Sequence, residues 1–140
     1  DPALFTVLDN RDVFANDIFT INAIQAFHTD KYAIGLVICW GTNRSLYISG
    51  DTEYDQDIVW EISKVSRQTD VAFVCINGKL GNMNADEALV LIKELKPALA
   101  IPMHYGLFAQ NTTDPLPFVE AVNQNGIKCM ELIAGVPIVV

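Results

Sequence analysis

Short apolar runs, cut by glycine, proline and polar clusters, recur along the chain, and the spacing inside them changes from one part to the next. Residues 17–27, DIFTINAIQAF, alternate loosely, as a half-buried strand does. AIGLVICW at 33–40 is almost continuously apolar and reads as a second strand. Gly41-Thr42-Asn43-Arg44 then turns the chain, and SLYIS at 45–49 brings it back as an antiparallel hairpin. From Tyr54 to Ser66 the period becomes helical, with Ile58, Val59, Ile62 and Val65 on one face. VAFVCI at 71–76 is a short strand, and NGKLGNMN at 77–84 is a loop. Asn84 precedes Glu87 by three residues, which predicts a capping box opening a helix through Ala88, Leu91, Ile92 and Leu95 that Pro97 ends. ALAIPM at 98–103 is another strand. Asp114-Pro115 opens a last helix that Gly126 closes, and KCMELI (128–133) and PIVV (137–140) are expected as final strands.

This order, strand-rich first and alternating strand and helix afterwards, predicts an α/β layer: a mixed β-sheet with helices on one face, forming a single unit over 1–140. Such a sheet keeps an apolar second face. Composition strengthens that point, because 51% of residues are hydrophobic and only 19% are charged. Surface is therefore expected to face another chain or domain.

Charge narrows the partners. With 17 acidic and 9 basic residues the net charge is -8, which argues against nucleic acid, since phosphates are met by Lys and Arg. No basic run suits an anionic membrane surface, and no apolar stretch approaches the roughly 18 residues of a membrane span. Cys39, Cys75 and Cys129 lie singly in apolar runs and read as reduced, buried thiols, which places the protein in the cytoplasm. The sequence opens on Asp1 rather than Met, so upstream sequence is expected in the full protein.

Candidate chemistry gathers at strand ends. His28 follows the first strand, Asp51 follows the hairpin in SGDTEYD, and His104 follows the strand that ends IPMH. In open α/β sheets this is where side chains converge on a site. Two imidazoles and a carboxylate suit Zn²⁺, Mn²⁺ or Fe²⁺. Each residue also has a plain reading: a loop histidine, an Asx-type turn or helix cap at Gly50-Asp51-Thr52, a strand stop at Pro102. No nucleophile elbow or phosphate-cradling glycine loop competes with the metal reading.

SLYISGDTEYD, followed by DVAFVCINGKLGNMNADEALVLIKELKPALAIPMHYGLF, resembles the C-terminal half of a metallo-β-lactamase-fold hydrolase. Within that superfamily it is most similar to the ascorbate-6-phosphate lactonase-like group. That group shows G-D-(S/T) after a strand, a loop with Met before a helix (Met83, then Asp86-Glu87-Ala88 here) and a strand ending I-P-(M/F)-H. The similarity runs from Asp17 to Val140. It implies one αβ half of a four-layer αββα sandwich, with the metal site at the edge between the halves.

By resemblance, Asp51 is the acidic ligand able to bridge two metals, His104 the late histidine ligand, and His28 the histidine that follows an A-x-H strand. The catalytic pair is then Asp51 and His104, with one or two Zn or Mn ions. Asn77, Lys79 and Asn82 are candidates for contacting a sugar phosphate. The family's His-x-His-x-Asp-His motif belongs to the N-terminal half and does not occur in this chain. A catalytic zinc needs three protein ligands besides water, so these 140 residues alone are expected to be inactive. They are expected to pair with their own N-terminal half, or with a second copy, across the apolar sheet face. The implied activity is that of a metal-dependent, lactonase-like hydrolase. It would act on a small phosphorylated sugar or sugar-acid lactone through a metal-bound hydroxide. A phosphodiesterase of the same fold and a non-catalytic binding or assembly module are the alternatives.

Overall fold

The loose alternation at 17–27 is a single strand, β2 (Phe19–Gln25), and a short strand outside that segment, β1 (Val13–Ala15), precedes it. Asn16 turns the chain between them: its Oδ1 accepts the N–H groups of Ile18 and Phe19, an Asx-type turn. The computed structural model, which describes residues 5–106 and 108–139, continues with β3 (Ile34–Trp40), β4 (Arg44–Ile48), α1 (Asp57–Val65) and β5 (Val71–Cys75). Then come α2 (Ala85–Leu95), β6 (Leu99–Met103) and α3 (Leu116–Gln124).

The strands lie in one sheet in chain order, β1 to β6. Pairing is antiparallel from β1 through β4 and parallel from β4 through β6. The change follows from the connections. A tight turn suffices between β3 and β4, whereas parallel neighbours need a crossover, and α1 and α2 supply it. α2 and α3 start where the sequence predicts, and α1 begins at Asp57, three residues after the Tyr54 expected. Asn84 Oδ1 accepts the N–H groups of Asp86 and Glu87, and Glu87 Oε2 accepts that of Asn84, completing the capping box. Asp114 Oδ1 accepts the N–H of Leu116 as α3 opens.

All three helices pack on one sheet face. Ile24, Val37, Tyr47, Ala72, Val74 and Ala100 from the strands meet Ile58, Ile62, Leu91, Ile92, Phe118 and Val122 in one buried cluster. The opposite face is apolar too. Val71, Leu99 and Ile101 are buried there with Leu46, Phe73 and Met130 against them. Leu36, Ile38 and Ile48 continue that face half-buried.

The two C-terminal strands predicted from sequence do not form. In 128–133 only Cys129 pairs, as a single parallel bridge to Ala100, with Ala100 N–H donating to Lys128 O and Met130 N–H to Ala100 O. Residues 137–139 are irregular and mostly exposed, and Val140 lies outside the described residues. The reason is positional: the next residue of β6 on that side after Ala100 is Pro102, which has no N–H to continue the parallel ladder. No described helix is long and apolar enough to cross a membrane.

Candidate metal centre

Parallel pairing brings the C-terminal ends of β4, β5 and β6 to one rim. Asp51 leaves the rim after β4 and His104 after β6. Asp51 Oδ1 and His104 Nε2 stand 3.4 Å apart. Two ligands each about 2.1 Å from a tetrahedral ion stand roughly 3.4 Å from one another. The pair is therefore spaced as two ligands of one ion, and longer than the usual N–H···O bond. Both side chains remain accessible, Asp51 47% and His104 28% exposed, so neither is committed to the core.

The local sequence explains why Asp51 can face outward. Ser49 and Thr52, on either side of Gly50-Asp51, are fully buried. Ser49 Oγ accepts the N–H of Cys75 and donates to Gly50 O. Thr52 Oγ1 accepts the N–H of Phe27 and its carbonyl accepts that of Met83. The turn is thus fastened on both flanks while the carboxylate between them stays free. Gly50 has φ +61, and a Cβ there would lie 2.5 Å from Ile34 O, so only glycine lets the turn come this close to β3.

His104 is held in a sparsely populated conformation, with φ +65, in the left-handed region. Non-glycine residues occupy that region at a cost and cluster at functional sites. The loop after β6 begins at this residue. There, Gly106 N–H donates to Thr112 Oγ1 at 2.6 Å.

His28 occupies the same rim but does not join the pair. Among the described residues no three His, Cys, Asp or Glu side chains converge to hold a metal ion. His28 Nδ1 accepts the N–H of Asp30 at 3.1 Å, which in the neutral ring puts the proton on Nε2. Its ring rests on Gly81, where a Cβ would come within 3.0 Å of Cδ2.

The three candidate substrate contacts fall into two groups. Asn77 and Asn82 are buried, and bonded to each other. Lys79 is exposed, and its Nζ donates to Gln110 O at 2.7 Å. Sequence reasoning passed over Ser49, Thr52 and Asn111, which support the rim. For Ser49 and Thr52 the available signal was two hydroxyl residues bracketing a Gly-Asp turn at the end of an apolar strand. The cysteines are free, and burial pushes their thiols up, that of Cys129 to about 12.

Comparison with known proteins identifies the family. The sequence model described as "Beta-lactamase superfamily domain" matches residues 5–105, a span that contains His28, Asp51 and His104. A UPF0173 metal-dependent hydrolase of Thermoplasma acidophilum is 36% identical over 99 residues, covering 69% of this chain and 42% of its own length. One from Oenococcus oeni is 32% identical over 117 residues, covering 76% and 50%. The chain spans about half the length of these curated relatives. Among solved structures, Igni18, a novel metallo hydrolase from the hyperthermophilic archaeon Ignicoccus hospitalis, superposes with a TM-score of 0.76 at 25% identity, over 89% of this chain and 56% of that one. YhfI of Bacillus subtilis, a metallo-β-lactamase fold protein, does so with a TM-score of 0.74 at 15% identity, over 92% and 53%, a likeness of fold. The mixed sheet, the helices on one face and the matched span together establish that the chain belongs to the beta-lactamase superfamily and carries part of the metallo-β-lactamase fold.

Proposed function

We propose that this chain is the C-terminal half of a metal-dependent hydrolase, with Asp51 and His104 as ligands of a divalent ion, Zn or Mn. The observation that carries the reading is the 3.4 Å approach of Asp51 Oδ1 to His104 Nε2 at the strand-end rim. Bound there, the ion supplies an activated water near neutral pH and a Lewis acid for the scissile group. Asp51 holds its second carboxylate oxygen ready to orient the attacking water. His28 is the third ligand in this proposal. It lies beside the Asp51 turn, because Phe27 O accepts the N–H of Glu53, and its Nε2 would take the ion in the tautomer that carries the proton on Nδ1, with the bond from Asp30 N–H given up.

The substrate in this reading is a lactone of a small phosphorylated sugar or sugar acid. Lys79 remains able to meet an anionic group, since one hydrogen bond to Gln110 O leaves donors to spare. The remaining ligands come from the chain's own N-terminal half, packed on the face formed by Leu36, Ile38, Leu46, Ile48 and Phe73. That the chain spans about half the length of these relatives supports this.

The test is zinc and manganese titration of the intact protein beside Asp51→Ala, with hydrolysis of a lactone panel measured in parallel. Loss of both metal binding and hydrolysis in a variant that still unfolds cooperatively is expected. Undiminished hydrolysis by Asp51→Ala overturns the proposal.

A further inference from the structure

Asn82 Nδ2 donates to Asn77 Oδ1 at 3.1 Å, and Asn77 Nδ2 donates to Asn111 Oδ1 at 2.7 Å. A ladder of amides has two possible directions, because the oxygen and nitrogen of each amide are alike in shape. A backbone group settles the direction here. Asn77 Nδ2 also donates to Lys79 O at 3.3 Å, and a carbonyl oxygen only accepts. The Asn77 nitrogen must face that carbonyl. Its oxygen must then face Asn82, and Asn111 must offer an oxygen. The price of this direction shows at the far end. Asn82 is only 7% exposed, yet its Oδ1 has no partner. Turning Asn82 over would set two oxygens face to face.

The ladder joins two loops that are otherwise far apart in sequence. Asn77 and Asn82 belong to the loop between β5 and α2, and Asn111 to the loop between β6 and α3. The second loop is the one His104 opens with its left-handed turn. Lys79 Nζ bonding to Gln110 O is a second tie between the same loops. We infer that Asn77 is a positioning residue for His104: through Asn111 it anchors the far end of the loop, and so sets the separation of His104 from Asp51. The inference rests on the reading of that pair as metal ligands.

Directionality makes it testable. The measurement is zinc affinity of the intact protein, by competition with a chromophoric chelator, with thermal unfolding as the fold check. Asn111→Asp keeps the acceptor that Asn77 needs, and is expected to stay within about threefold of wild type. Asn111→Ala removes it, and is expected to lose roughly 10- to 100-fold, as outer-shell partners of metal ligands do. Asn77→Asp sets an acceptor against Lys79 O and should lose at least as much. Should it fail to fold, the two Asn111 variants, on a half-buried loop, decide the matter alone. Zinc binding by Asn111→Ala equal to wild type overturns the inference, as does Asn111→Asp weakened as far as Asn111→Ala. His104→Ala separates the two levels. If it loses zinc while Asn111→Ala does not, only the ladder's role falls. If it binds zinc as wild type does, the metal reading falls with it.

Discussion

The hydroxyl of Thr52 accepts the backbone N–H of Phe27 at 2.9 Å, across 25 residues of chain. This bond ties the loop that carries His28 to the turn that carries Asp51, and it lies wholly out of solvent on the Thr52 side. Thr52→Val keeps the shape and removes the acceptor. It should destabilise the protein by about 1–3 kcal/mol, the range for leaving one buried group unpaired. Thr52→Ser should fall closer to wild type. Denaturant midpoints of the three proteins check this.

Gly50→Ala tests whether the turn's close approach to β3 is required. A left-handed conformation costs an L-residue about 1–2 kcal/mol, and the new Cβ would also press on Ile34 O. Stability should fall by at least that amount. Because Asp51 is the next residue, zinc affinity should fall as well. Unfolding and metal titration of the same sample report the two effects separately.

Asn84→Ala removes the N-cap of α2 and leaves every side-chain bond of the Asn77–Asn111 ladder in place. It should cost about 0.5–2 kcal/mol and leave the zinc affinity unchanged. Asn84→Ser should recover most of the loss. A drop in metal affinity with Asn84→Ala would show that α2 also helps set the loop that precedes it.

Cys129 gives the alkaline limit. Burial raises its thiol from 9.0 to about 12, so the folded state favours the neutral form. Below pH 9 that preference contributes its full stability. Between pH 9 and 12 the unfolded chain ionises first, and the contribution is lost as pH rises. Stability of the wild type should decline across this window, and Cys129→Ala should flatten the part of the slope that Cys129 causes. Urea midpoints at several pH values measure it. At neutral pH the buried thiols should resist a thiol-specific reagent until the protein is unfolded.

What could be read from the sequence follows the range of the forces involved. β3, β4, α1, β5, α2 and β6 were visible because burial on one or two faces imposes a period. The caps Asn84 and Asp114 were visible because they act within three residues. Asp51 and His104 could be singled out by their place after apolar strands, but their 3.4 Å meeting depends on parallel pairing through β5, which no local pattern encodes. The Asn16 turn was local too, but it precedes the 17–27 alternation, and the three residues of β1 are too few to show a period. The Asn77–Asn111 bond spans 34 residues, and Asn111 sits in a loop without periodicity, so nothing nearby marks it. The predicted strand at 128–133 had the right residue types, but its neighbour β6 offers no N–H at Pro102, so the pairing stops after Ala100.

That abbreviated strand has an effect on the sheet's growth. β6 is the last strand, and its outer side would normally be a template for another chain. At Ala100 both backbone groups are already taken, the N–H by Lys128 O and the carbonyl by Met130. Two residues on, on the same side of the strand, stands Pro102, which has no N–H to offer. The sheet therefore terminates itself at this end. A second chain cannot lengthen the sheet by pairing along β6 at Ala100 and Pro102, on the side that leads to His104.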